Sequence, residues 1–154
     1  MLKSHTSTGF VLLLALLIGL VLVSPARATN EVFLSTDTAE SEVTYVVQFD
    51  TTVTGHIYKI RVGLPPDTNA ANAALGRLMI GETSIAGSVA LSDPDTLIVD
   101  FGGGQNVKVG TRILLELFNL NNPPAGSYAI DVRTLDRNGN VQEVIPSIAY
   151  STSG

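Results

Sequence analysis

The sequence contains no cysteine, no tryptophan and only two histidines. Without thiols the fold draws on no disulfide, even though an exported protein would be free to form one. Thiolate catalysis, cysteine-ligated zinc and iron–sulfur clusters are excluded for the same reason. His5 precedes the apolar run near the N-terminus, which leaves His56 as the one histidine of the remaining chain. A single histidine without cysteine makes no typical transition-metal site. As a catalytic base His56 lacks an evident partner, so a strand-end or surface position is expected for it.

Long apolar runs are also lacking. The longest is Phe10–Val23, 14 residues. A membrane-spanning helix needs about 20 apolar residues, whereas the apolar core of a signal peptide has roughly 7–15. A polar, Lys3-bearing segment precedes the run, and Ser24-Pro25 ends it. Ala26 and Ala28 then place small side chains at the −3 and −1 positions that a signal peptidase accepts. The pattern predicts a signal-peptide helix over 1–28, cleavage between Ala28 and Thr29, and a secreted protein, extracellular or periplasmic, with no stable membrane span. An uncleaved anchor is the alternative. No cysteine stands near the junction for lipoprotein processing, and no second apolar segment or sorting tail follows, so surface attachment is expected to be noncovalent.

Of nine basic residues, Lys3 and Arg27 leave with the signal, so seven face 14 acidic ones and the net charge is about −7. The seven are scattered singly along the sequence. Such a chain neutralises phosphates poorly, and no nucleic-acid partner is expected.

What remains is strand-forming sequence. Val43–Phe49 is rich in β-branched and aromatic residues, and in His56–Val62 the residues Tyr58, Ile60 and Val62 alternate with polar ones. Pro65-Pro66-Asp67 ends that strand. Thr68–Leu75 carries alanines between a capping residue and Gly76 and predicts a short helix crossing between sheets. Further strands are expected over Arg77–Ile80, Ser84–Leu91, Thr96–Phe101, Thr111–Leu120, Tyr128–Arg133 and Val141–Tyr150. Thr111–Leu120 reads as central and partly covered on both faces. Asn138-Gly139 is the preferred pair for a two-residue hairpin, and Pro146 marks the last strand as an edge or a bulge. About eight or nine short strands with turns between them predict one all-β domain over 29–154, an antiparallel β-sandwich. Residues 29–42 are expected as a flexible or strand-donating N-terminal arm.

Two stretches carry a resemblance. Thr44, Tyr45, Phe49 and Thr51 match a T-Y-x-x-x-F-x-T strand, Ile60, Val62 and Pro65 an I-x-I-x-x-P strand, and Asn122, Pro123, Ala125, Gly126 and Tyr128 an N-P-x-x-A-G-x-Y turn with altered spacing. Together they resemble Ig-like β-sandwich modules of prokaryotic surface proteins: S-layer-associated proteins, fibre subunits and adhesins. The resemblance implies an Ig-like sandwich and a structural or adhesive role, and it specifies no reaction.

Candidate chemistry is thin. Asp136, Asn138 and Asn140 form D-x-N-G-N, the beginning of a calcium loop, but Val141 and Ser147 stand where its glycine and bidentate glutamate belong. A hairpin turn uses the same residues for backbone reasons. Asp93, Asp95 and Asp100 offer a carboxylate pair or a cation site, and Asp93-Pro94-Asp95 equally reads as a turn. Gly102-Gly103-Gly104 lacks the Lys and Ser/Thr of a phosphate loop and reads as a mobile loop. Tyr45, Tyr58, Tyr128 and Tyr150 stack on sugars only if exposed, and the apolar neighbours of three of the four favour packing inside.

The expectation is a noncatalytic secreted module with a structural or adhesive role, possible as a fibre subunit, with itself or other surface components as partners and no cofactor. An extracellular cation- or carbohydrate-binding module is the alternative, and an exported hydrolase comes last. Mass spectrometry of the exported protein should find Thr29 as its first residue, and Ala28→Leu should abolish that product.

Overall fold

Strict alternation decides the interior. Val43, Tyr45, Val47 and Phe49 are buried while the residues between them stay partly open, and Ile113, Leu115 and Leu117 repeat the pattern. In a strand, side chains alternate between faces, so each run offers one apolar face that must meet another. Burying each such side chain contributes about 1.5–3 kcal/mol, and the meeting of two such faces builds this domain.

The computed structural model describes residues 30–154, so the expected signal helix over 1–28 and the cleavage positions Ala26, Ala28 and Thr29 lie outside the described residues. The described residues form ten strands and no helix: β1 (Glu31–Leu34), β2 (Glu42–Asp50), β3 (Gly55–Gly63), β4 (Ala74–Ile80), β5 (Thr83–Ser84), β6 (Ser88–Asp93), β7 (Thr96–Val107), β8 (Arg112–Asn121), β9 (Gly126–Leu135) and β10 (Val141–Thr152). They make two antiparallel sheets, β1-β2-β8-β4-β5 and β10-β9-β3-β7-β6, here called sheets one and two. The fold is an Ig-like sandwich, as expected, with one or two strands more than the sequence suggests because Ser84–Leu91 divides into β5 and β6.

Several local expectations are corrected. The helix over Thr68–Leu75 does not form. Asn69 exchanges both backbone hydrogen bonds with Asn121, at 3.2 and 2.9 Å, and its side-chain oxygen accepts from the Ala71 amide. A short helix is marginal alone, and here bridging to β8 outcompetes it. Ala74 and Leu75 instead open β4. The β9–β10 hairpin has a three-residue loop, Arg137–Gly139. The Gly139 amide donates to the Asp136 carbonyl at 3.1 Å, and Gly139 alone there takes positive φ, 84°. β8 is central, but its outer face, with Leu114 half-buried, has no covering layer among the described residues.

Bulges account for the remaining differences. Lys59 pairs with Asp100 and Ile57 with Gln105, so Tyr58 faces the four residues Phe101–Gly104. The extra length moves Tyr58 off the face of Ile60 and Val62 and gives its place to buried Ile57. Gly102–Asn106 is therefore part of β7, not a mobile loop. The Tyr58 ring lies against Gly104, where a Cβ would stand 2.8 Å from it. In β8, Phe118 and Asn119 face Thr44 together. Asn119 takes φ of 57°, which asparagine tolerates, and buried Leu120 rejoins the inner face three residues after Leu117.

Buried polar groups tie the sheets. The Tyr45 hydroxyl, from sheet one, donates to Asn122 Oδ1 at 3.1 Å and lies 3.0 Å from the Tyr150 hydroxyl of sheet two. Tyr45 has one proton to give, so Tyr150 donates to it. Asn122 Nδ2 donates to the Thr36 and Thr38 carbonyls at 3.0 and 2.9 Å. Residues 36–39 are thus held, and the Ser153 amide donates to the Asp37 carbonyl at 2.7 Å. Burial, and then the Tyr150 hydroxyl, push the Tyr45 phenol far above its ordinary value of 10.0, and burial likewise raises Tyr150. A phenol raised in the folded state stabilises the fold fully below the unfolded value and loses that contribution as pH rises past it. Chemical denaturation should find stability falling above about pH 10, by up to about 1.4 kcal/mol per pH unit for each such phenol. Tyr45→Phe should flatten that fall.

Candidate functional site

His56 is the second residue of β3, opposite Asn106 and exposed to solvent. The Asp136 carboxylate is committed to its own turn. It accepts from the Asn138 and Asn140 amides, both at 2.8 Å, and from Asn140 Nδ2 at 3.0 Å. These bonds, Asn140's side chain foremost, lower its pKa. Asp93 and Asp95 flank the β6–β7 turn. The Asp95 carbonyl accepts from the Leu64 amide at 2.7 Å. Asp100 lies apart from them, 3.3 Å from Lys59 Nζ. Its pKa is lowered first by the Gly102 amide and then by Lys59. Among the described residues no group of three or more His, Asp or Glu stands close enough to hold a metal ion.

The tyrosines divide. Tyr45 and Tyr150 are buried and meet edge to face, with ring centroids 5.5 Å apart. Tyr128 packs 5.9 Å from Tyr150, and its hydroxyl donates to the Pro124 carbonyl at 2.9 Å. Tyr58 lies on the bulge at Gly104, outside the core. No two of them form an exposed platform.

Sequence reasoning missed Glu143. It faces inward on β10 and is 5% exposed. Its Oε1 accepts from the Thr52 amide and, at 2.6 Å, from the Thr52 hydroxyl, while Oε2 lies 3.4 Å from the Thr134 hydroxyl. It fastens the β2–β3 connection to sheet two. Its place two residues before the apolar Ile145 was the available signal.

The expectation of scattered cations also fails on one face. Pairing across sheet two sets Arg61 of β3 directly opposite Arg133 of β9. The same row continues to Ile98 of β7 on one side and Val144 of β10 on the other. Lys59 stands two residues along β3. On sheet one the cations are paired: Arg77 Nε lies 2.7 Å from Glu116 and Arg112 Nη1 3.1 Å from Asp50. Arg61 and Arg133 form no ion pair or hydrogen bond among the described residues. Both line a groove of about 340 Å³ with Gly63, Pro65, Asp95 and Asp131. This groove is the strongest candidate site on the domain.

No family model matches the chain, and no curated protein sequence matches it. Solved structures do. A protein of Nocardia farcinica described as having an immunoglobulin-like fold superposes with a TM-score of 0.52 at 10% identity, covering 81% of this chain and 98% of its own. The full-length major pilin SpaD of Corynebacterium diphtheriae superposes with a TM-score of 0.51 at 15% identity, over 81% of this chain and 34% of the pilin. BslA, described as a bacterial hydrophobin, gives a TM-score of 0.47 at 13% identity, over 81% and 97%. The first two establish the architecture, an Ig-like sandwich.

Because the Asp136 carboxylate is held below its usual range, its contribution is present above the unfolded value and lost as pH falls through the folded one. Asp136→Ala should lower Tm at pH 7, and the difference from the parent protein should narrow as pH falls below the ordinary aspartate range. Calcium should shift neither protein.

Proposed function

We propose that the chain is an exported, noncatalytic surface module with a structural or adhesive role, acting through contacts of its sandwich with other macromolecules. The observation that carries this reading is the edge strand β10. It closes one side of sheet two, runs for 12 residues, and exposes Val141 and Val144 at 43% and 61%. An open strand edge offers unpaired backbone groups to another chain, and strand addition is a recurring mode of protein association. The bulge between Ile145 and Ile148 limits the usable stretch to the half before Pro146. The likeness to a pilin supports the reading at the level of fold.

The fibre version takes a specific form. β1 pairs with β2 of its own chain, Glu31 with Gln48 through Leu34 with Tyr45. Donating β1 to a neighbour would break that ladder and strain the Asn122 anchor. Assembly through β10 leaves both intact and is the version favoured here.

Size exclusion and electron microscopy of the mature protein should find concentration-dependent oligomers or fibres, and Val144→Lys should suppress them while leaving Tm unchanged. Fractionation should place the protein outside the cytoplasm. A strictly monomeric protein indifferent to Val144→Lys would remove the fibre version. A protein retained in the cytoplasm would remove the whole reading.

A further inference from the structure

The arginine pair on sheet two is a physical anomaly. Directly opposed residues on antiparallel strands hold their Cβ atoms about 4.5–5.5 Å apart, and like charges there are destabilising. The chain is rich in carboxylates, and one row away it solves the same problem in the ordinary manner: Lys59 stands opposite Asp100 and pairs with it. Arg61 instead has Ile98 as its other neighbour, and Arg133 has Val144. Two half-buried arginines therefore stand directly opposite each other, flanked in their row by Ile98 and Val144, with no ion pair to either. That arrangement is poor as a structural device and suitable as an anion fork, because guanidiniums bind planar oxyanions in bidentate fashion.

The surroundings narrow the anion. In the next row Gly63 lies between Asp131 and Thr96 and supplies no side chain, which leaves a depression beside the arginines. Asp131 and Asp95 border it. Asp131 uses one oxygen, 2.9 Å from the Ser147 hydroxyl, and Asp95 is only weakly engaged by Thr96, at 3.5 Å. Two carboxylates repel a dianionic phosphate but accept hydrogen bonds from neutral hydroxyls. The ligand that satisfies both halves carries one carboxylate for the arginines and hydroxyl donors close by for the aspartates. Arg61 also borders the adjoining depression, with Lys59, Ile98 and Leu135, so the groove continues along β3 and suits a chain of such units.

We propose that Arg61 and Arg133 form a binding site for the carboxylate of a uronic-acid sugar, with Asp131 and Asp95 receiving its hydroxyls, within an acidic polysaccharide lying along the outer face of sheet two. The site requires only the folded domain; Val144 of β10 flanks it in the same row, so the proposal is read by ligand binding and assembly through β10 by oligomeric state.

The test is an amide NMR titration of the mature protein with an oligogalacturonate, alongside a neutral oligoglucan and poly-glutamate. The uronate should shift the amides of Arg61, Gly63 and Arg133. Arg61→Gln and Arg133→Gln should each weaken it about tenfold or more, since a hydrogen bond to a charged group contributes that much. Arg77→Gln on sheet one should leave it unchanged. In the free protein each of the first two substitutions should leave Tm unchanged or raise it by about 1–4 °C, because a like-charge pair is relieved. The proposal is overturned if the uronate produces no shifts at these amides, if the glucan binds equally, or if poly-glutamate binds as tightly. Loss of folding in Arg61→Gln or Arg133→Gln would also overturn it, since the pair would then be structural.

Discussion

Two sheets and no thiol to join them: the sandwich depends on what passes between its faces, and the directional part of that is one chain of hydroxyls. Tyr150 donates to Tyr45, Tyr45 to Asn122, and Asn122 to the carbonyls of Thr36 and Thr38. Apolar contact supplies most of the energy and says little about register. A buried hydroxyl chain says a great deal, because each member left unpaired costs about 1–3 kcal/mol. Through it β2, β10, the turn after β8 and the segment leading out of β1 are fixed together. Ser153 then pairs beside Asp37 and Ala39, so the last residues of the described chain are held by the first. Glu143 performs the matching task for the β2–β3 connection.

With the interior so fastened, bulges decide what the outside presents. Each inserts residues into one strand and reverses the faces beyond it. The Tyr58 bulge keeps a phenol out of the core and lays it on Gly104 of β7. The bulge at Phe118-Asn119 returns Leu120 inward, and the one after Ile145 carries Ile148, Tyr150 and Thr152 to the inner face. The row Val144–Arg133–Arg61–Ile98 lies between these irregularities, on a regular stretch of sheet two where the stem of each side chain is firmly placed. A rigid element is where a binding fork keeps its geometry.

The legible parts of the sequence were those where a local pattern and the final structure obey the same rule. Val43–Phe49, rich in β-branched and aromatic residues, and Thr111–Leu120, with Ile113, Leu115 and Leu117 on one face, read as strands and form β2 and β8. Pro146 announced both an edge and a bulge. The Asn122–Tyr128 turn carried the resemblance that the fold establishes. The illegible parts depend on register between strands remote in sequence. Nothing near Tyr58 reveals that four residues of β7 will oppose it. The alanines of Thr68–Leu75 favour a helix until Asn121 becomes available to Asn69. Arg61 and Arg133 appear scattered until β3 and β9 pair, so the candidate groove was invisible although every residue in it was known. Glu143 is the exception: it stands two residues before Ile145 and shares its inner face, and that place was overlooked.

The domain keeps its polar interior for cohesion and leaves the β10 edge and the outer face of sheet two open. That division rests on the hydroxyl chain acting as one unit between the sheets. The most direct measurement is a double-mutant cycle of Tyr45→Phe with Tyr150→Phe in chemical denaturation. If the hydroxyls act together, the two losses couple by about 1 kcal/mol or more; if they add within about 0.3–0.5 kcal/mol, the hydroxyls act independently and the account is contradicted.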